Sequence, residues 1–321
     1  MEDKKRTFGI IGLGKMGGSL ALQAMGKGYS VAGLDKSELS SQLKESALKR
    51  AKDARELVGS LERPRIVFIY VPAGKVVDTV LGELSEAMTK GDIIVDGGNS
   101  YWGDSIRRAE RLKEKGLYLI DCGTSGGVSG ARNGACFMVG GETEAVDLIA
   151  PILKDLAVPE GFVRAGASGS GHYVKLVHNG IEFGMLEAIA EGMDLLENYR
   201  EKLDINKILH TWNHGSVIRS WLVELMEQSY SELKGIEAVP PYVEDTGEVN
   251  WLVGDAMHME VSIPVISQSV MRLFASRDSR KNWARAIAMM RHGFGGHPYG
   301  ENAGIKYERK FGRVGGYQME E

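Results

Sequence analysis

The chain has 321 residues, 43% hydrophobic and 26% charged, which suits a globular protein of two domains or one domain with a large extension. Lys and Arg number 39 against 43 Asp and Glu, a net charge of −4, so no basic excess points to nucleic acid or an anionic membrane as partner. Two cysteines, Cys122 and Cys136, are too few for a disulfide framework and lack metal-ligand spacing. The charged start Met1–Arg6 leads into no secretory segment and no apolar span of about 20 residues. The expectation is a cytoplasmic protein with reduced thiols, no metal and no membrane partner.

Thr7–Gly12 reads as a short strand that runs into Gly12-Leu13-Gly14-Lys15-Met16-Gly17. A helix over Ser19–Lys27 follows, then a strand over Ser30–Leu34 ending at Asp35. This is G-x-G-x-x-G between a strand and a helix, with an acid about 20 residues on, the setting in which the pattern binds a dinucleotide. Gly12 permits the tight turn, Gly14 admits a pyrophosphate to the backbone, and Gly17 lets helix and strand pack closely. Free N–H groups of the turn, with Leu13, Lys15 and Met16 among its residues, and the helix dipole favour phosphate. Asp35 accepts hydrogen bonds from a ribose 2′-OH and repels a 2′-phosphate, which favours NAD over NADP. Lys36 beside it is a further cofactor candidate and softens that preference.

Leu39–Leu61 reads as helical. Arg65–Val71 is a dense apolar run, expected as a buried parallel strand. It ends at Val71-Pro72-Ala73-Gly74, a turn at the carboxyl end of a strand, where ligands lie in open α/β sheets. A helix over Lys75–Thr89, a strand over Asp92–Asp96 ending in Gly97-Gly98-Asn99-Ser100, a helix over Asp104–Lys115 and a strand over Leu117–Asp121 continue the alternation. The pattern predicts a doubly wound, Rossmann-type parallel sheet. Gly123–Gly134 reads as a long small-residue loop offering N–H groups and hydroxyls to an anion. Ala135–Val139, Glu142–Leu156 and Phe162–Arg164 read as strand, helix and strand. The sheet domain is expected over 1–165 and an all-α domain for substrate and oligomerisation over 166–321. In the latter, a long helix opened by Ala167–Gly171 is expected to run to about Tyr199, with others over Ile205–Trp212, Ile218–Leu233, Val265–Ala275 and Arg280–Arg291. Between them lies a loop over Val239–Gly247, and after them a glycine-rich tail with a basic end.

The first of these helices carries Lys175, His178, Asn179 and Glu182 at i, i+3, i+4 and i+7, one face of a helix. Its other directions are apolar, with Leu176, Val177, Ile181, Phe183, Met185 and Leu186, so burial is expected. An amine, an imidazole, an amide and a carboxylate aimed into one space form either a catalytic site or a satisfied buried polar cluster.

Four motifs together resemble the 6-phosphogluconate dehydrogenases of the β-hydroxyacid dehydrogenase superfamily. They are Asp96-Gly97-Gly98-Asn99-Ser100, Ser125-Gly126-Gly127 followed by Gly130-Ala131-Arg132, the run from Gly171 to Glu182, and Arg291-His292-Gly293-Phe294-Gly295-Gly296-His297. The resemblance implies NAD-dependent oxidative decarboxylation of 6-phosphogluconate to ribulose 5-phosphate and CO2. By resemblance Lys175 is the general base that takes the 3-OH proton as hydride leaves C3. An amine does this only when neutral, a state that burial among apolar neighbours favours. The β-keto acid then loses CO2 while the protonated amine stabilises the enolate, and Glu182 protonates C1, a role for a carboxylic acid that holds its proton near neutral pH. His178 and Asn179 hold substrate hydroxyls. Asn99 and Ser125-Gly126-Gly127 hold the carboxylate side, and Asn99 also lies beside the cofactor. Arg272, Arg291 and His297 are the phosphate ligands.

The family's C-terminal tail reaches a neighbouring subunit's site, which implies a homodimer or homotetramer. The chain departs from the pattern at Phe183 and Asn133, where tyrosines are frequent, and in Thr246–Trp251, which lacks a lysine usual there. The chain's length is that of the short, NAD-preferring branch. Alternatives are a dehydrogenase of another sugar acid such as gluconate, a non-decarboxylating β-hydroxyacid dehydrogenase, and a non-catalytic NAD-sensing protein.

Overall fold

The computed structural model describes residues 7–311; the charged start Met1–Arg6 and the basic tail beyond 311 lie outside them. The chain folds into two units. The first runs to Gly180 and includes Gly247–Met259, and the second holds Ile181–Thr246 and the chain from Glu260 on.

The first unit alternates strands and helices: β1 (Thr7–Ile11), α1 (Lys15–Gly26), β2 (Ser30–Leu34), α2 (Ser41–Lys44), β3 (Lys49–Arg50), α3 (Ala54–Gly59), β4 (Ile66–Ile69), α4 (Lys75–Ala87), β5 (Ile93–Asp96), α5 (Trp102–Lys113), β6 (Tyr118–Ser125), α6 (Gly127–Asn133), β7 (Ala135–Gly140), α7 (Thr143–Leu156) and β8 (Ala157–Gly166). The strands form one eight-stranded sheet in the order β3-β2-β1-β4-β5-β6-β7-β8. Pairing is parallel except between β6 and β7. The order reverses between β1 and β4, the switch point at which an open α/β sheet makes its ligand crevice.

Successive side chains of a strand point to opposite faces, and here both faces are covered. Phe8, Ile10, Phe68, Val95 and Phe137 pack into one core with α1 and α7. Ile11, Val67, Ile69 and Ile94 pack into the other with α3 and α4. Burial on both sides explains why β4 and β5 read as unbroken apolar runs. Phe68 meets Phe8 edge-on at 5.2 Å, and full burial of such a ring stabilises the fold by roughly 1.5–3 kcal/mol.

Three local expectations are corrected. Leu39–Leu61 is not one helix: Ser40 and Asp53 cap two short ones with their side chains, and Lys49–Arg50 pairs with β2 at the sheet edge. Local capping and an edge pairing override the alanine-rich pattern. Gly123–Gly134 is not a loop. Its first three residues extend β6, held by antiparallel pairing with β7 from Asp121↔Gly140 to Ser125↔Cys136. Its remainder is α6, entered through Gly126 at φ +112°, a conformation natural only to glycine. The β7–β8 edge is longer than expected, because β8 spans ten residues.

The long helix α8 (Ser170–Glu197) crosses the division between the units. After it come α9 (Ile205–Asn213), α10 (Trp221–Leu233), α11 (Glu248–His258), α12 (Pro264–Arg277), α13 (Asn282–Gly295) and α14 (Ala303–Phe311). The sequence reading missed α11 and α14. The second unit has a small core of Met193, Ile205, Leu209 and Val223, with Trp212 and Tyr230 against it. The expectation that α8 is buried nearly all round fails: Val174, Ile181, Met185 and Leu186 are exposed. Among the described residues no helix is long and apolar enough to cross a membrane.

Candidate active site

The glycine turn lies between β1 and α1. Gly12 has φ +89°, and a Cβ there would lie 2.2 Å from the Tyr70 carbonyl oxygen. A Cβ on Gly17 would lie 2.0 Å from the Gly12 oxygen. Both positions are closed to any side chain. Gly14 differs: a Cβ there meets open space, so the packing itself makes no demand for glycine. Gly14 is also the N-cap of α1 and supplies no capping side chain. No Gly14 side chain occupies the start of the helix, which leaves it open to a pyrophosphate. Leu13 is buried, Met16 half-buried and Lys15 exposed. Asp35 accepts hydrogen bonds from the Leu13 amide and, at 2.6 Å, from the Ser37 amide, so its carboxylate is fixed beside the turn. Lys36 is exposed next to it. Val71, Pro72 and Ala73 leave the end of β4, the strand paired with β1. These residues fit a dinucleotide.

Two strands away, β5 ends at Asp96, whose carboxylate accepts from Ser100 Oγ at 2.7 Å and the Gly98 amide at 3.1 Å. The turn that follows leaves Asn99 exposed. Tyr70 lies beneath it: a Cβ on Gly97 would be 2.4 Å from the ring. The Tyr70 hydroxyl bonds Thr124 Oγ1 at 3.2 Å, and burial pushes this phenol up, so it stays protonated. Burial also pushes the Cys122 thiol up, which leaves it a buried, unreactive side chain.

Helix α8 starts hard against the sheet. A Cβ on Gly171 would be 2.5 Å from the carbonyl oxygens of Asp121 and Met138, and one on Gly123 would be 2.4 Å from Lys175 Cβ. The buried Asp121 accepts from the Gly169 amide at 2.6 Å and the His172 amide at 2.9 Å, so a carboxylate caps the helix N-terminus. His172, buried as well, bonds Ser105 Oγ at 2.7 Å and the Asp96 carbonyl at 3.1 Å. A carbonyl only accepts, so Nε2 carries the proton and Nδ1 accepts from the serine. Sequence reasoning had given Asp121 and His172 no role. The signal was present: Asp96 and Asp121 each close an apolar run, and the two stand opposite each other on β5 and β6.

One turn beyond His172 the polar residues converge. Lys175 Nζ lies 3.3 Å from His178 Nδ1, and the same nitrogen lies 3.2 Å from Asn179 Oδ1. His178 Nε2 lies 3.0 Å from Ser125 Oγ, and Asn179 Nδ2 donates to Asn99 Oδ1 at 3.5 Å. His178 Nδ1 accepts from the amine in one tautomer and donates to the Asn179 amide oxygen in the other. The structure thus brings Lys175, His178, Asn179, Asn99 and Ser125 together. Gly126 and Gly127 open α6 just beyond Ser125.

The remaining predicted residues belong to the second unit. Glu182 is half-buried two turns further along α8. Arg272 Nε donates to Glu187 Oε1 at 3.0 Å. Arg291 is exposed near the end of α13, and the His297 carbonyl lies 2.8 Å from His292 Nδ1. Phe183 is half-buried, and Asn133 is exposed at the end of α6.

The sheet order and the glycine turn define a Rossmann-type NAD(P)-binding protein. Residues 7–166 match the NAD binding domain of 6-phosphogluconate dehydrogenase, and residues 171–304 match its C-terminal domain. The chain belongs to the 6-phosphogluconate dehydrogenase family. It is 41% identical over 291 residues to YqeC of Bacillus subtilis (strain 168), whose name as a 6-phosphogluconate dehydrogenase is provisional; the match covers 90% of this chain and 98% of that one. It is 39% identical over 293 residues to an NAD(+)-dependent, decarboxylating 6-phosphogluconate dehydrogenase of Haloferax volcanii, covering 90% and 97%. Among solved structures, the 6-phosphogluconate dehydrogenase of Plasmodium falciparum, studied with NADP+ and with 6-phosphogluconate, is similar with a TM-score of 0.77 at 25% identity, covering 95% of this chain and 68% of that one.

Proposed function

We propose that the protein oxidises and decarboxylates 6-phosphogluconate to ribulose 5-phosphate and CO2 with NAD. The observation that carries this reading is the convergence of Lys175, His178, Asn179, Asn99 and Ser125 at the carboxyl ends of the strands, on the sheet that carries the glycine turn. When bound, NAD supplies the hydride acceptor. Lys175 takes the 3-OH proton and returns it to the enolate oxygen as CO2 leaves, and His178 and Asn179 hold substrate hydroxyls. Asn99, Ser125, Gly126 and Gly127 hold the carboxylate end, and Glu182 delivers the proton to C1. Arg272, Arg291 and His297 take the phosphate; two guanidiniums suit such an anion. The Asp35 carboxylate, fixed by two amides, favours NAD over a 2′-phosphorylated cofactor.

The oligomer belongs to the same reading. Helix α13 has no buried residue, and Trp283, Met289, Met290 and Phe294 are each more than 60% exposed. Apolar surface of that kind marks an interface. A homodimer or homotetramer in which the tail completes a neighbour's site accounts for it.

The departures at Phe183, Asn133 and Thr246–Trp251 bear on the phosphate end and favour gluconate as the second reading. A spectrophotometric NAD-reduction assay with 6-phosphogluconate and gluconate side by side, with CO2 trapped and counted, decides. The expected outcome is turnover of 6-phosphogluconate with one CO2 per NADH. Turnover of gluconate alone establishes the second reading, turnover without CO2 a simple β-hydroxyacid dehydrogenase, and greater efficiency with NADP overturns the cofactor assignment.

A further inference from the structure

Helix α11 is distant in sequence from the sheet, yet it packs within the first unit. Its Asp255 carboxylate accepts a hydrogen bond from the Tyr101 hydroxyl at 3.0 Å on one oxygen and from Trp102 Nε1 at 2.7 Å on the other. These two donors directly follow Asn99 and Ser100. Tyr101 is the N-cap of α5 and makes no side-chain capping bond of its own, so its side chain is given over to this contact. Aromatic packing reinforces the join. Trp251, one turn before Asp255, lies 5.6 Å from Tyr101, and Trp102 meets Tyr173 of α8 edge-on at 5.7 Å. Burial first, then the bond to Asp255, push the Tyr101 phenol up, so it remains a donor at any working pH.

We infer that Asp255 is a positioning residue: by gripping Tyr101 and Trp102 it fixes the Gly97–Ser100 turn and with it the side chain of Asn99. The carboxylate suits this pair, because each partner bonds its own oxygen and both bonds are charge-assisted; an amide would make both neutral, and the Trp102 indole can only donate. An asparagine would turn an NH2 toward one of them. The kinetic consequence rests on the reading that Asn99 touches the sugar acid; the structural consequence does not.

The test compares wild type with Asp255→Asn and Tyr101→Phe by amide hydrogen exchange and steady-state kinetics. The Gly97 amide is held by the Ile69 carbonyl and the Gly98 amide by Asp96. In Asp255→Asn these amides should exchange about tenfold faster, the weight of one good hydrogen bond, while the β1–α1 turn exchanges as before. KM for 6-phosphogluconate should rise about tenfold and KM for NAD by clearly less, since the glycine turn and Asp35 are untouched. Tyr101→Phe removes one of the two bonds and should shift both readouts less, in the same direction. Unchanged exchange over 97–102 overturns the inference, and so does an equal rise of both KM values, the mark of general loosening. If wild type turns over no sugar acid, the functional reading fails, and the exchange data alone decide on Asp255.

Discussion

Lys175 meets Gly123 because two glycines were left bare where α8 touches the sheet. An alanine at Gly123 would place its Cβ 2.4 Å from Lys175 Cβ and 3.0 Å from the Gly171 carbonyl oxygen, and neither neighbour is the free end of a flexible chain. Gly123→Ala should therefore cost about 1–3 kcal/mol of stability. It should also lower kcat by about 100-fold, since a displacement near 1 Å is enough for that; denaturant unfolding and steady-state kinetics read the two effects separately. Lys175→Ala should abolish hydride transfer while NAD binding, measured by calorimetry, is unchanged; a fully active variant sinks the base assignment. Glu182→Gln should slow turnover and let the keto intermediate accumulate, visible by rapid quench and borohydride trapping. The lysine, histidine and asparagine were legible in the sequence because helical periodicity alone puts them on one face. Asn99 and Ser125 were legible as motif members only. Their approach to that face depends on β5 and β6 lying side by side, with β6 running on past the end of β5, which periodicity within one segment cannot express.

Helix α8 is aimed by its first turn. Asp121 accepts from two backbone amides there; an asparagine keeps one acceptor oxygen and opposes an NH2 to the other amide. Asp121→Asn should lose about 1–3 kcal/mol, read as a lower denaturation midpoint at unchanged slope. A second brace joins α4 to α5. Buried Arg108 donates to Asp78 at 2.9 and 3.2 Å and to the Gly74 carbonyl at 3.0 Å, at the turn beyond Val71-Pro72-Ala73. The Arg108 guanidinium holds the Asp78 carboxyl below its ordinary value. A depressed folded value stabilises the fold above the unfolded value, about pH 4, and that stabilisation is lost as pH falls through the folded value. Asp78→Asn should thus show a shallower loss of stability below about pH 4 in urea titrations across pH. Elements with strong local signals, such as β4, α4 and α7, were readable within a residue or two. Those made by partners were not: the end of β6 exists through pairing with β7, and β3 through pairing with β2.

Taken whole, the chain is a two-sided sheet followed by helices that keep little of their apolar surface to themselves. On α13, Phe294 is 77% exposed; under the oligomer reading, Phe294→Glu should shift the mass measured by light scattering toward the monomer. The same variant should reduce turnover where the tail completes a neighbouring site. An unchanged mass removes α13 from the interface. The strand–helix alternation, the glycine turn with Asp35, and the helix bearing Lys175 and Glu182 were written in local pattern, since each is set by one period or by a motif spacing within one strand–helix–strand unit. The antiparallel turn of β6 into β7, the carboxylate under α8, the His172 link to Asp96 and the grip of α11 on the Asn99 turn were not. The last three join residues far apart in the chain, and the first depends on strand pairing; a spacing rule carries neither. The apolar directions of α8 show the boundary between the two kinds of knowledge: the sequence marks them as surfaces to be covered, and packing alone settles which neighbour covers each one.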